Sequence, residues 1–415
     1  MRLLRRRRSQ RWEADRNHYS ILDLGASAVK VLVVEQTESG VTILGRGSAA
    51  HRNGIAANGM IGELSALQDA CERALIMAED ATVESGRVKV VPDTALIVVP
   101  TAWLVRAVGI GRVLRPNLEE AVAADERGEP IERAGRIAAD LLAGRSGPGE
   151  WRLLDATVLD LKVDGRRVTD LAGFRGRVLE AGVQAVAAPD HALVALAALA
   201  DALKLNPPIM VAEPMAIAAA LDEDGLVIQV GAQMTSLILV RRGGPIAFGA
   251  VPAGGSALID ALSDAFRLPP SRGTAVLRAY GAGRLQDSEQ AAIQNVLAAP
   301  LASWLSLVMR ELRSWDVRPE DWSPEVHLCG GAGGLRDLQP LVSSVRWLET
   351  VPLPRVPSVR LWDGSNLSQV ADRTMPRWQL DGVTSLSAAA WLLRKRGPQT
   401  ADGILRSSLR LGTPV

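Results

Sequence analysis

Three short glycine-containing turns carry the residues whose chemistry best suits phosphate binding. The first lies within residues 21–35, where Asp23 ends one apolar run, Gly25 occupies the turn and a second apolar run follows. Glycine lets the backbone approach a ligand closely, and the hydroxyl of Ser27 and the ammonium of Lys30 suit phosphate oxygens. Taken alone, the same pattern is also typical of an ordinary β-hairpin.

Two further turns of this kind follow strand-like runs in the second half of the chain. Residues 229–236 contain Gly231 and Thr235, and residues 328–334 read Leu-Cys-Gly-Gly-Ala-Gly-Gly. Each turn again leaves an apolar, strand-like run. The recurrence of strand, turn and strand in both halves indicates a duplicated α/β fold.

Length and composition predict a globular protein with more than one hydrophobic core. The chain has 415 residues, of which 47% are hydrophobic and 22% charged, and a single core rarely grows beyond about 300 residues. Its 2 cysteines and 4 histidines show no metal-ligand spacing, and so few cysteines favour a reducing cytoplasm. No metal-binding residues are assigned. A net charge of +1 predicts no specific nucleic-acid partner.

The two ends of the chain differ from its body. Residues 1–18 are rich in arginine and predict a disordered basic arm. Residues 397–415 form a tail in which Ile404, Leu405, Leu409 and Leu411 share one arc of a helical wheel. This arc is typical of a short amphipathic helix on a membrane surface, and a disordered tail is the alternative. Together the ends predict peripheral contact with an anionic membrane, and no apolar run was found that would span one.

The order of the three turns resembles that of the actin-like ATPase superfamily. Residues 20–396 are similar in particular to the FtsA family of bacterial cell-division proteins, with the related PilM proteins of type IV pili close behind. Residues 54–59, 163–180 and 278–281 carry the likeness. The resemblance implies an α/β fold with two duplicated β-β-β-α-β-α subdomains around a cleft and an inserted SHS2-like subdomain, 1C.

The resemblance also implies where the subdomains begin and end. The predicted units are subdomain 1A (19–91 and 189–224), the inserted SHS2-like subdomain 1C (92–188), subdomain 2A (225–268 and 320–396) and a reduced subdomain 2B (269–319). In the FtsA family the inserted unit takes part in filament contacts and partner binding.

Site residues follow from the same resemblance. The first phosphate loop takes Asp23, Gly25, Ser27 and Lys30, the second takes Gly231 and Thr235, and the adenosine loop takes Gly330, Gly331, Ala332 and Gly333. The implied cofactor is ATP with Mg²⁺. Glu213 lies where the superfamily positions the attacking water.

Two substitutions in the second loop argue against hydrolysis. Where the superfamily has Asp at both ends of this loop, the chain has Gln229 and Ser236. Carboxylates at such positions hold the Mg²⁺ of the nucleotide directly or through water. We therefore predict a pseudo-ATPase that binds nucleotide weakly or not at all, with no catalytic residue assigned.

The resemblance implies a scaffold of the divisome rather than an enzyme. An FtsA-like protein self-associates into filaments and tethers the tubulin-like FtsZ polymer to the inner face of the cell membrane, on the cytoplasmic side. The alternative is a PilM-like adaptor of type IV pilus assembly, favoured by the short region 283–294 and the helix end at 311–315. A sugar-kinase-type enzyme is disfavoured, because no Asp offers itself as the catalytic base. An active ATPase is disfavoured by Gln229 and Ser236.

Overall fold

A computed structural model describes residues 17–51, 61–84, 88–145, 151–205, 208–349, 351–374 and 380–393, together with Leu405 and Leu409. The predicted basic arm lies almost entirely outside this part of the chain. So do the family-like stretch 54–59 and the predicted tail, apart from its two described leucines.

The first half begins with an antiparallel meander covered by a helix. Its elements are β1 (His18–Leu24), β2 (Ala28–Gln36), β3 (Val41–Ala50), α1 (Leu64–Glu84) and β4 (Thr94–Val99). The short polar turn at residues 25–27 joins β1 to β2, which pair antiparallel. The apolar face of α1 packs on the sheet through Leu67, Cys71 and Ala74, all fully buried.

An inserted unit follows with a sheet of its own. It comprises β5 (Val105–Leu114), α2 (Gly128–Arg145), β6 (Trp151–Val163), β7 (Arg166–Val168) and β8 (Val178–Pro189). These strands are antiparallel in the order β5-β8-β6-β7, and α2 packs on one face. The SHS2 assignment of this unit stays a prediction.

The predicted start of the insertion at residue 92 is wrong. Thr94–Val99 pairs in parallel with β1, so β4 belongs to the first sheet. The inserted sheet begins only at Val105, after a short 3₁₀ turn at Thr101–Trp103. An apolar β-branched run identifies a strand, but it carries no information about which sheet the strand joins.

The chain then returns to the first half and repeats its pattern in the second. The returning elements are α3 (Asp190–Ala202), β9 (Ile209–Ala212) and α4 (Glu213–Ala220), and the repeat consists of β10 (Gly225–Val230), β11 (Thr235–Arg241), β12 (Gly244–Val251) and α5 (Gly255–Phe266). β9 pairs in parallel with β4. Both halves therefore read as three antiparallel strands and a helix, which confirms the predicted duplication.

Two helices form the small unit predicted at residues 269–319. They are α6 (Pro270–Gly281) and α7 (Asp287–Arg313). By length and composition alone, α7 is apolar enough to cross a membrane, and the sequence prediction did not single it out. One face of α7 packs in the core of the second half through residues such as Leu297, Leu301 and Val308, as the core helix of a globular domain does.

The last described elements connect the two halves. They are β13 (Glu325–Cys329), α8 (Leu338–Val342), β14 (Ser358–Leu361), β15 (Val370–Asp372) and α9 (Val383–Trp391). β13 pairs in parallel with β10, as β4 does with β1. β15 was predicted within subdomain 2A, but it pairs with β3 of the first sheet, where Asp372 forms an ion pair with Arg46. The predicted range 320–396 for subdomain 2A is therefore wrong for β15.

Glycines in two strands allow helices to lie directly on the sheets. A Cβ at Gly45 or Gly47 of β3 would lie 2.0 Å from a carbonyl oxygen of α1, and one at Gly109 of β5 would lie 2.2 Å from a carbonyl oxygen of α2. Real Cβ atoms do not approach backbone oxygens so closely. The Gly-x-Gly spacing within these strands is therefore a packing requirement.

We expect Gly47→Ala to destabilise the protein by about 1–3 kcal/mol, because the added methyl group overpacks the contact between β3 and α1. Gly281→Ala is the matched control, since a Cβ there meets nothing within 4 Å, and it should stay within about 1 kcal/mol of the wild type. Urea denaturation followed by circular dichroism measures both. Equal midpoints for the two variants would contradict the packing argument.

Candidate functional site

The cleft between the two halves contains a cavity of about 110 Å³. Asp23 and Gly25 of the first turn and Gly231 of the second turn line it. The walls also include Trp103 and Met234. Pockets that hold small organic ligands usually measure roughly 300–1,000 Å³, so this cavity is small for a nucleotide.

The carboxylate of Glu213 lies at the centre of a hydrogen-bond network in the cavity wall. Glu213 begins α4 and is only 4% exposed. Its Oε2 accepts hydrogen bonds from the Thr101 N–H (2.8 Å), the Thr101 hydroxyl (2.6 Å) and the Ser236 hydroxyl (3.0 Å). Its Oε1 accepts one from the Gln229 side-chain amide at 2.5 Å.

Four donors match roughly the acceptor capacity of one carboxylate. Thr101 belongs to the first half, whereas Gln229 and Ser236 face each other across β10 and β11 of the second half. The network therefore ties the two halves together at the base of the cleft. It also occupies both carboxylate oxygens of Glu213.

Gln229 extends this network to α9. Its amide oxygen accepts a hydrogen bond from the Thr384 hydroxyl at 3.1 Å, and the Cys329 thiol lies 3.9 Å away. Thr101 and Thr384 were missed in the sequence, where neither stands in a glycine-containing turn or a recognisable motif. Their roles come from contacts across 112 and 155 residues of chain.

Asp23 and Lys30 face each other across β1 and β2. Their charged atoms lie 3.9 Å apart, and the Lys30 ammonium also donates to the backbone carbonyl of Asp381 in the second half. Burial raises the pKa of Asp23 to about 6, and the nearby Lys30 charge opposes this shift. The Asp23 carboxyl is thus more easily ionised in the unfolded chain, so its contribution to stability falls as the pH rises from about 4 to about 6.

Ser27 and Thr235, the remaining predicted residues of the first two turns, do not line the cavity. Ser27 is exposed, and its carbonyl accepts a hydrogen bond from the His51 N–H. Thr235 is fully buried, and its hydroxyl donates to the Ala253 carbonyl and accepts from the Trp304 indole N–H. The hydroxyl of Thr235 therefore serves the core of the second half.

Three backbone N–H groups of the third turn already donate hydrogen bonds to other backbone groups of the protein. The N–H groups of Gly330, Ala332 and Gly333 donate to carbonyl oxygens of Leu380, Val230 and Gly330, respectively. Neither these residues nor Gly331 line the cavity. Gly330 has a φ of +88°, and a Cβ on Gly333 would lie 2.1 Å from the Cys329 carbonyl oxygen. The shape of the turn alone thus requires glycine at both positions.

The start of α5 is likewise occupied by protein groups. Helix N-termini are common phosphate sites because their first N–H groups lack partners within the helix. Here the N–H groups of Gly255 and Ser256 donate to the Gly231 and Ala232 carbonyls at 2.9 and 2.7 Å. The second turn itself takes the place that an anion would need.

Arg336 lies near the predicted adenosine loop and contacts both α6 and α7. Its guanidinium lies 4.9 Å from the centre of the Tyr280 ring in α6 and donates to Gln290 in α7. Tyr280 is fully buried, and its hydroxyl donates to Asp337 at 2.9 Å. Burial, followed by the contact with Asp337, raises the pKa of this hydroxyl to about 12.

The charge around the cavity is unfavourable for a triphosphate. Asp23 and Glu213 are acidic, and within the described part of the chain no lysine or arginine lines the cavity. The described residues also contain no group of three or more His, Cys, Asp or Glu side chains suited to hold a metal ion. The arrangement is a closed, hydrogen-bonded junction between two halves.

Comparison with solved structures identifies the fold of this chain. A PilM-PilN type IV pilus biogenesis complex matches 89% of this chain and 96% of that chain, with 19% sequence identity and a TM-score of 0.61. The chain has the actin-like ATPase fold. This confirms the predicted fold class. No protein-family model matches the sequence, and no curated protein matches it.

More distant similarities have TM-scores of 0.46. The ethanolamine utilization protein EutJ from Carboxydothermus hydrogenoformans is 13% identical, over 90% of this chain and 89% of that chain. MreB 5 of Spiroplasma citri, solved with AMPPNP bound, is also 13% identical, over 90% of this chain and 95% of that chain.

We expect Glu213→Gln to lower the free energy of unfolding by about 2–4 kcal/mol, because charged hydrogen bonds are lost and buried donors then face each other. Gln229→Glu alone should also destabilise, since it places two carboxylates in contact. The double variant should recover at least half of the summed loss. In it, the amide at position 213 donates to the carboxylate at position 229, which still accepts from Thr384.

Urea denaturation of the four proteins gives the coupling free energy between the two positions. A double variant as unstable as the sum of the single variants would contradict the network.

Proposed function

We propose that this protein is an actin-like scaffold that acts by binding and does not hydrolyse ATP. The observation that carries the proposal is the Glu213 network. A carboxylate that accepts hydrogen bonds from Thr101, Gln229 and Ser236 is already saturated. It cannot activate a water molecule without breaking the junction between the halves.

The two departures from the superfamily pattern support the same conclusion. Gln229 and Ser236 replace the aspartates that would hold Mg²⁺, and both side chains donate to Glu213. These residues therefore do more than remove metal ligands. They supply the donors that a buried carboxylate requires when no metal ion is present.

Among scaffolds, we propose an adaptor of type IV pilus assembly as the first candidate. Its support is the similarity to the PilM-PilN complex, which spans nearly the whole of both chains. The reduced unit formed by α6 and α7 agrees with this candidate. In this proposal the protein works on the cytoplasmic side of the membrane, where its buried thiols Cys71 and Cys329 stay reduced.

An FtsA-like tether between the FtsZ polymer and the membrane is the second candidate. It is favoured by the likeness of residues 278–281 and by the apolar arc of the tail. Self-association into filaments belongs to both proposals, and the inserted unit, with its separate sheet and core, is the surface we expect partners to use.

We expect no binding heat when the purified protein is titrated with ATP, in the presence or absence of Mg²⁺, and phosphate release at the buffer background. The variant Gln229→Asp, Ser236→Asp should melt at a lower temperature than the wild type, because its new carboxylates face Glu213, and it should still not turn over ATP. Micromolar, Mg²⁺-dependent binding by the wild type would contradict the pseudo-ATPase proposal.

Co-purification separates the two candidate partners. The tagged chain should retain a PilN-type pilus assembly protein and should not retain the tubulin-like division protein when both are co-produced. Retention of the division protein alone would overturn the pilus proposal in favour of the FtsA-like tether.

A further inference from the structure

Two leucines near the end of the chain pack into the core of the inserted unit. Leu405 is helical and has 0% of its surface exposed, and the Leu409 N–H donates to the Leu405 carbonyl at 3.0 Å. Leu405 belongs to the hydrophobic cluster that contains Ile131 of α2 and Leu171, and Leu409 packs against that cluster. These two leucines of the tail therefore rest on the inserted unit.

Gly135 of α2 forms the seat for these two leucines. A Cβ at position 135 would lie 2.5 Å from Cδ1 of Leu405 and 3.5 Å from Cδ1 of Leu409. Gly144 in the same helix has nothing within 4 Å of the corresponding position. A glycine inside a helix is unfavourable relative to alanine, and at position 135 the close approach of two leucines accounts for it.

We propose that the segment carrying Leu405 and Leu409 is an intramolecular ligand of the inserted unit. The seat accepts leucines at positions i and i+4, which lie on the same face of a helix. The link from Leu393 to Leu405 spans twelve residue steps, enough to reach about 40 Å when extended. Leu405 and Leu409 of the same chain occupy this seat.

This docking competes with any other use of the same leucines. Leu405 and Leu409 are two of the four residues that form the apolar arc of the tail. In the docked state Leu405 is fully buried against the inserted unit. The tail therefore contacts either the inserted unit or a membrane surface with these residues, and release of the tail uncovers the seat at the same time.

A labelled peptide of residues 401–413 tests the docking by fluorescence anisotropy on the full-length chain. The variant Leu405→Asp, Leu409→Asp releases the tail, so it should bind the peptide at least tenfold more tightly than the wild type, whose seat is filled. Adding Gly135→Met to the released variant should abolish binding. Adding Gly144→Met, the matched control on the same helix, should leave binding unchanged.

Leu405 is part of a hydrophobic core, so the released variant could lose its fold. A second measurement tests the docking in a milder variant. The peptide should raise the melting temperature of Leu405→Ala, whereas a peptide with both leucines replaced by Asp should not. Equal peptide affinity for wild type and released variant, no rescue of Leu405→Ala, or equal effects of Gly135→Met and Gly144→Met would overturn the proposal. A wild-type dimer in sedimentation that Leu405→Asp dissociates would assign the contact to a second copy and overturn docking within one chain.

Discussion

The burial of one carboxylate at the junction of the two halves constrains much of the rest of the structure. A buried charge is tolerated only when it is paired or fully hydrogen-bonded, and Glu213 obtains its four hydrogen bonds from three residues on two other segments. The 3₁₀ turn after β4, the β10–β11 hairpin and the start of α4 must therefore keep their relative positions. Aspartates at 229 and 236 would place three carboxylates together with no cation to offset them, so the two substitutions and the closed junction depend on each other.

Other contacts hold the halves together without a ligand. Arg167 of the inserted unit forms two hydrogen bonds with Asp321 of the second half, at 3.3 and 3.4 Å. The buried amide of Gln184 donates to the Pro245 carbonyl at 2.8 Å. One hydrophobic cluster also combines Ile21 and Met215 of the first half with Phe248 of the second. In this account protein groups alone join the two halves across the cleft.

Much of the fold could be predicted from the sequence because its signals are local. Apolar runs flanking the turn at Gly25 predict β1 and β2, and the buried positions of α1 follow a helical period. The sheet to which β4 belongs, and the pairing of β15 with β3, depend on partners far away in the chain. The candidate site likewise depends on contacts between residues far apart in the chain. A threonine in a glycine-containing turn is typical of a phosphate ligand, yet the partners of the Thr235 hydroxyl are the Ala253 carbonyl and the Trp304 indole, which no local pattern indicates.

Hydrogen exchange at the backbone amide of Thr101 tests the central claim most directly, because this N–H donates to Glu213. The account predicts that the amide is strongly protected in the protein without nucleotide and that Mg²⁺ and ATP leave its exchange rate unchanged. Fast exchange that slows only when nucleotide is added would contradict it, because the ligand rather than the Glu213 network would then close the cleft.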